Sequence, residues 1–140
     1  MQFKSEALGA SLKLLLIHTI NNAEFAIEQL DTESSQVCLL RDFKNLVDTQ
    51  FKQWHKVNDY ADALHISSKH LSQSVKKLTG KSAKTHIIDR IILEGKRQLT
   101  LGRKTIKEIS YSLGYQDPLH FSSFFKKQTG LSPKQFKTKE

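Results

Sequence analysis

The side chains best suited to nucleophilic, acid–base or metal chemistry are few and scattered in this 140-residue chain. Six histidines (His18, His55, His65, His70, His86, His120) fall at no metal-ligand spacing, and neither an HExxH pair nor a Gly-rich phosphate loop accompanies them. The one cysteine, Cys38, excludes an internal disulfide and any multi-cysteine zinc site. It lies in the apolar run from Val37 to Leu40, where inert packing is its expected role. No catalytic residue, metal site or cofactor is expected, and the chain does not read as an enzyme.

What the sequence does supply is cationic side chains. Lys and Arg number 22 against 14 Asp and Glu, a net charge of +8, and the excess is unevenly placed. Residues 1–50 hold four basic and seven acidic residues, a balance of −3, whereas residues 51–140 hold eighteen and seven, a balance of +11. A field of that sign attracts a polyanion and neutralises phosphates. The basic half is also where the sequence repeats itself. Lys126-Lys127-Gln128-Thr129-Gly130-Leu131-Ser132 echoes Lys76-Lys77-Leu78-Thr79-Gly80-Lys81-Ser82 at five of seven positions, as one supersecondary unit used twice would.

Each unit reads as two helices joined by a tight turn. In the second, Ile106, Ile109 and Leu113 form a short amphipathic helix that Gly114 ends in a left-handed conformation. Asp117-Pro118 then caps and opens the next helix, with Phe121, Phe124 and Phe125 on its buried side. In the first unit Val57, Tyr60, Ala61 and Leu64 make the opening helix and His65-Ile66 the turn. Ser67 is the N-cap, and Leu71, Val75 and Leu78 face inward. His65 stands where the second unit has Gly114, and histidine enters the left-handed region more readily than most residues. The small residues Ala61 and Ser110 let the paired helices cross closely.

Between the units, Ile87, Ile88, Ile91, Ile92, Leu93 and Leu99 predict one helix from about Ser82 to Leu101, with Gly95 a soft point and Gly102 the stop. At about 18 residues and roughly 1.5 Å each, it spans about 27 Å. Upstream, Val37, Leu40, Phe43, Leu46, Val47 and Phe51 predict a helix that leads to Trp54 and His55, which are expected to close the core beside the first unit. Asp31 to Ser35 reads as a polar connection. Residues 1–36 carry Leu8, Leu12, Leu15, Leu16, Ile20, Phe25, Ile27 and Leu30 and read as a separate helical segment, broken at Asn21-Asn22, that packs on the chain or pairs with a second copy. No run of about 18 apolar residues and no secretory leader is present, so a cytoplasmic protein with no membrane contact is expected. The fold class is all-α: two helix-turn-helix subdomains (about 56–80 and 104–130) joined by a long connecting helix (82–101), together residues 37–140, preceded by the segment 1–36.

The pattern from Tyr60-Ala61 through Ile66-Ser67, Leu71-Ser72, Val75-Lys76-Lys77 and Thr79-Gly80, then Arg90-Ile91, then Ile106, Ile109, Leu113-Gly114-Tyr115, Asp117-Pro118, Phe121-Ser122, Phe125-Lys126-Lys127, Thr129-Gly130 and Ser132-Pro133, resembles the DNA-binding domain of AraC/XylS-type transcription regulators. The resemblance covers about residues 43–137. It implies a seven-helix domain whose two recognition helices enter adjacent major grooves of promoter DNA. Activation and contact with RNA polymerase are also implied, in a piece of a longer regulator. The base-contact positions it implies are Lys69, His70, Ser72 and Gln73 in the first unit and Leu119, His120, Ser122 and Ser123 in the second. Lysine suits guanine and glutamine suits adenine, so the first unit is expected to dominate sequence choice. Phosphate contacts are implied for Ser67, Lys76, Lys77, Lys104, Thr105, Lys126 and Lys127. Two departures stand out: Gly95 where alanine is usual, and Phe136-Lys137 in place of an aromatic-arginine pair, which loses a guanidinium fork.

Overall fold

A computed structural model describes residues 34–139 of the chain, and among these every regular element is an α-helix. The expectations for helical structure, chain breaks and pairing within residues 1–33 lie outside the described residues. The chain divides into two compact units, Met1–Cys38 and Leu39–Glu140. Of the first, residues 34–38 are described and are helical, so Ser34 and Ser35 are not part of a connecting loop. Cys38 is exposed rather than packed, because the buried stripe begins only at Phe43.

The elements follow as α1 (residues 34–50), α2 (Val57–Ala63), α3 (Ser68–Thr79), α4 (Ala83–Leu101), α5 (Ile106–Ser112), α6 (Pro118–Thr129) and α7 (Pro133–Lys139). Helix α4 touches α2 and α3 of the first repeat unit and α5 and α7 of the second. Its buried residues Ala83, Ile87, Ile91, Ile92, Gly95 and Leu99 recur at helical spacing and form the centre of a single core. Leu93 points the other way and is 60% exposed.

Gly95 faces α6. A Cβ at this position would lie 3.4 Å from the Phe121 ring and 3.5 Å from Phe125, an ordinary van der Waals contact, so the site has room for alanine and the glycine is not required by the packing. One residue earlier, Glu94 is buried within the same helix. Its carboxylate accepts hydrogen bonds from Arg97 (2.6 Å from Nη2, 3.1 Å from Nε) and from Gln98 Nε2 (2.8 Å). The Arg97 hydrogen bonds hold this carboxyl below its ordinary value, against burial, which acts in the opposite sense. On the preceding turn, Arg90 donates to Asp48 of α1 at 3.1 Å and stacks its guanidinium 4.2 Å from the centre of the Phe51 ring. Arg90 therefore ties α4 to α1, while Arg97 satisfies the buried carboxylate within α4 itself.

The repeat in the sequence is a repeat in hydrogen bonds. In both units the threonine hydroxyl accepts from the amide two residues on, Lys81 or Leu131, at 3.2 Å. It also lies within donating distance of the carbonyl four residues back, 2.7 Å from Val75 and 2.8 Å from Phe125. Gly80 and Gly130 end their helices at φ +80° and +85°, and Ser82 and Ser132 cap the helices that follow. The correspondence continues past the shared residues. His86 of α4 packs edge-on against Phe43, and Phe136, fifty positions later in α7, packs edge-on against Phe125. Each unit is thus three helices, with the start of α4 serving the first as α7 serves the second.

The two turns share one geometry as well. Ile66 N donates to Ala61 O at 3.1 Å, and Tyr115 N donates to Ser110 O at 3.0 Å, around His65 (φ +59°) and Gly114 (φ +89°). They differ in what lies beside them. A Cβ on Gly114 would overlap the Lys52 carbonyl oxygen, whereas His65 is exposed. Trp54 closes the core beside the first unit, its ring edge-on to Tyr60 and its carbonyl accepting from the Tyr60 hydroxyl at 2.9 Å. His55 does not. It turns to the second unit, with Nε2 2.8 Å from Leu113 O, because the loop that carries it crosses the second turn. Leu78 also departs from the expected buried face of α3. It is 38% exposed, and Ser74 packs inward beside Leu71 and Val75.

Two measurements test this account of the fold. Gly114→Ala should lower stability by roughly 2–5 kcal/mol, combining left-handed strain with backbone overlap, while His65→Gly should change it by no more than about 1 kcal/mol; denaturant titration of both variants checks this, and equal effects would refute it. His86 is held below its ordinary value by burial first and by Lys44 and Lys81 second. The unfolded chain then takes up this proton before the folded one, so the His86 contribution is complete above about pH 6.5 and is lost as pH falls below it. His86→Phe, copying Phe136, should flatten thermal stability between about pH 6.5 and 5. An unchanged pH dependence would show that His86 does not control it.

Candidate nucleic-acid interface

Helix α3 begins where Ser67 Oγ accepts from His70 N at 3.0 Å, and it turns Leu71, Ser74 and Val75 into the core. That orientation leaves Lys69, His70, Gln73, Lys76 and Lys77 exposed and Ser72 half-buried. Lys69, Gln73 and Lys76 stand four and three residues apart and line one edge of the helix. Helix α6 begins where Asp117 accepts from Leu119 N at 2.9 Å with Pro118 in the first turn, and it buries Phe121 and Phe125. Leu119, His120, Ser123, Lys126 and Lys127 are exposed and Ser122 is half-buried, the same pattern at an offset of fifty residues. Leu119 is the most open of these, 72% exposed.

Both outward faces lack any acidic residue, and neither helix contains arginine. Each ends in a Lys-Lys pair, which complements the partial negative charge of a helix C-terminus and leaves mobile ammonium groups facing solvent. The chemistry on offer is therefore amide, hydroxyl, imidazole and ammonium. Bidentate guanidinium recognition of guanine is absent from both faces.

The helix starts are not equivalent. The first turn of α3 holds no acid and is capped by a neutral hydroxyl. At α6 the capping group is the Asp117 carboxylate. At α5 the Thr105 hydroxyl accepts from Glu108 N and lies 3.1 Å from Glu108 Oε1, completing a capping box. Thr105 is exposed and Lys104 half-buried beside it, but a phosphate approaching Thr105 would meet the Glu108 charge. Of these three starts, the N-terminus of α3 is the one best suited to an anion.

Sequence reasoning did not find Glu94, although an acid inside an apolar helical run, with Arg four residues before it and three after, is a usable signal. Among the described residues no cluster of His, Cys, Asp or Glu could hold a metal ion, and no helix is long and apolar enough to cross a membrane.

A family model described as a helix-turn-helix domain matches residues 60–139. The Msm operon regulatory protein of Streptococcus mutans is 28% identical over 144 residues, covering 98% of this chain and 52% of that protein. The transcriptional activator Btr of Bacillus subtilis is 33% identical over 149 residues, covering 84% of this chain and 28% of that protein. The chain thus spans about half, or less, of the length of these two relatives. Among solved structures, the DNA-binding domain of AdpA, determined with a target DNA, matches with a TM-score of 0.64 at 19% identity, over 71% of this chain and 90% of that one, and so shares the fold. With two acid-free helix faces repeated about one connecting helix, and with these relatives, the chain belongs to the AraC-type helix-turn-helix family of DNA-binding transcription regulators.

Proposed function

We propose that α3 and α6 enter two adjacent major grooves on one face of a promoter duplex. The observation that carries this reading is the fifty-residue repetition of an exposed, acid-free, lysine-ended helix face across a single rigid helix. The 19 residues of α4 span roughly 28 Å, of the order of the ~34 Å that separates successive major grooves along one face. Helix α3 reads bases through Lys69, His70, Ser72 and Gln73. The face of Leu119, His120, Ser122 and Ser123 on α6 is poorer in base-reading groups; Leu119 is suited only to a thymine methyl, and this helix mainly anchors. Lys76, Lys77, Lys104, Lys126 and Lys127 neutralise phosphates and Ser67 hydrogen-bonds them, with Thr105 the weakest contact of the set because Glu108 already engages it.

Within the longer regulators that it resembles, such a module delivers the rest of the protein to a promoter. We infer an activator in contact with RNA polymerase, in line with the name of the Bacillus subtilis relative. Residues 1–36 are the candidate surface for pairing two copies, and the nucleoid in the cytoplasm is the proposed location.

Binding measurements on a site selected from a random DNA pool test the assignment. Gln73→Ala should weaken the cognate site by about 1–3 kcal/mol and relax one base position, whereas Lys127→Ala should weaken all sequences alike. With about six phosphates neutralised, log K should fall against log salt with a slope near −5. Equal losses on cognate and random DNA for both variants would contradict the role given to Gln73.

A further inference from the structure

The geometry points to His55 as a positioning residue that fixes the second helix-turn-helix relative to the first, and so sets which half-site spacing the chain accepts. The inference rests on the two-groove reading for its consequence on DNA, but the contact itself is independent of that reading.

The loop between α1 and α2 is held at two points, Phe51 and Trp54, immediately before the two residues, Lys52 and His55, that reach the second unit. At its start Phe51 is buried beneath the Arg90 guanidinium. Trp54 is held against Tyr60 by ring packing at 5.3 Å and by the hydrogen bond from the Tyr60 hydroxyl. From this fixed loop, two groups reach across to the turn between α5 and α6. The Lys52 carbonyl occupies the space where a side chain on residue 114 would be. His55 Nε2 lies 2.8 Å from the Leu113 carbonyl, which can only accept, so this nitrogen carries the proton and donates. The His55 ring also packs against Tyr115 at 4.8 Å.

Tyr115 passes the contact on to α6. Its ring lies 5.5 Å from Phe121 and 5.8 Å from Phe124, the aromatic side chains on the inner side of that helix. A continuous line of packed groups therefore runs from Tyr60 in α2, through Trp54 and the loop to His55, Leu113 and Tyr115, and ends on α6. Helix α4 is the other connection, and its covalent continuation to the second unit passes through Gly102 in a left-handed conformation. One helical strut leaves rotation of the second unit about its axis resisted by side-chain packing alone. A second attachment off that axis removes this freedom. Two tethered readers held in one geometry present a high effective concentration of the second at its groove, and a swivelling pair does not.

The experiment uses the full chain on three DNA probes: the selected two-part site, the same site with one base pair inserted between its halves, and the first half-site alone. His55→Ala should weaken the two-part site on the order of tenfold and shrink the preference over the inserted-spacer probe by the same factor, leaving the half-site unchanged. His55→Phe, which keeps the ring against Tyr115 but has no donor, should show the same direction of change, and His55→Gln, which restores an N–H, should recover most of the spacing preference. Equal weakening on all three probes, with lowered thermal stability, would show a merely structural role and overturn the inference, as would a spacing preference equal to the native one. If the native chain itself ignores spacing, the two-groove reading fails, and the latch is then decided without DNA. Spin labels at the exposed positions Asp62 and Gln128, in a Cys38→Ser background, should give a narrow distance distribution that broadens in His55→Ala. An unchanged width would overturn the latch whatever the DNA results.

Discussion

Helix α4 is the surface on which both helix-turn-helix units are built, and the constraint behind it is one of size. A pair of helices with a tight turn is too short to bury a core alone, since chains below about 40 residues expose too much of what they should cover. Here each pair lays its apolar side on the same central helix. Tyr60, Leu71 and Val75 meet it from one direction, and Ile109, Phe121 and Phe125 from the other, in one continuous cluster. One demand on α4 follows: apolar residues around more than one face. Gly95 lies against the Phe121 and Phe125 rings where an alanine Cβ would make ordinary van der Waals contact, so glycine here costs the helix about 1 kcal/mol of propensity without being required by the packing.

Burying that core leaves a polar face on each reader helix, and the two faces are not copies in chemistry. Both end in paired lysines, so both can hold a phosphate backbone. Only α3 combines ammonium, amide and hydroxyl groups on its outward edge above a start free of carboxylates. In α6 the corresponding edge holds Leu119 and two serines, and Asp117 occupies the first amides. Arg90 and Arg97 are engaged by Asp48 and Glu94 on α1 and α4, and no guanidinium fork, the group that most readily recognises guanine, lies on either outward face.

Features set by nearest neighbours along the chain were legible in the sequence. Ser67 and Asp117 cap helices because their side chains reach amides two or three residues on; Gly102 and Gly114 stop them for an equally local reason. The inward faces of α2, α4 and α5 follow from periodicity, and the outward edges of α3 and α6 follow as their complement. What periodicity could not reveal is which distant groups meet. The partner of His55 lies 58 residues away, the reason for glycine at 114 is a carbonyl in another loop, and Glu94 is buried because Arg97 and Gln98 are oriented to receive it. Leu78 and Cys38 failed in the other direction: side chains on the apolar runs of predicted helices that are exposed in the structure. For the candidate interface, the sequence and fold together place residues on a face, and the bases they meet are a property of the DNA.

Hydroxyl-radical footprinting on a site selected from a random pool tests the central claim most directly. Two protected stretches on the same side of the duplex, separated by about 10 base pairs, are the result expected of two readers held by α4. Protection confined to a single groove, or two stretches on opposite sides of the helix, would contradict it.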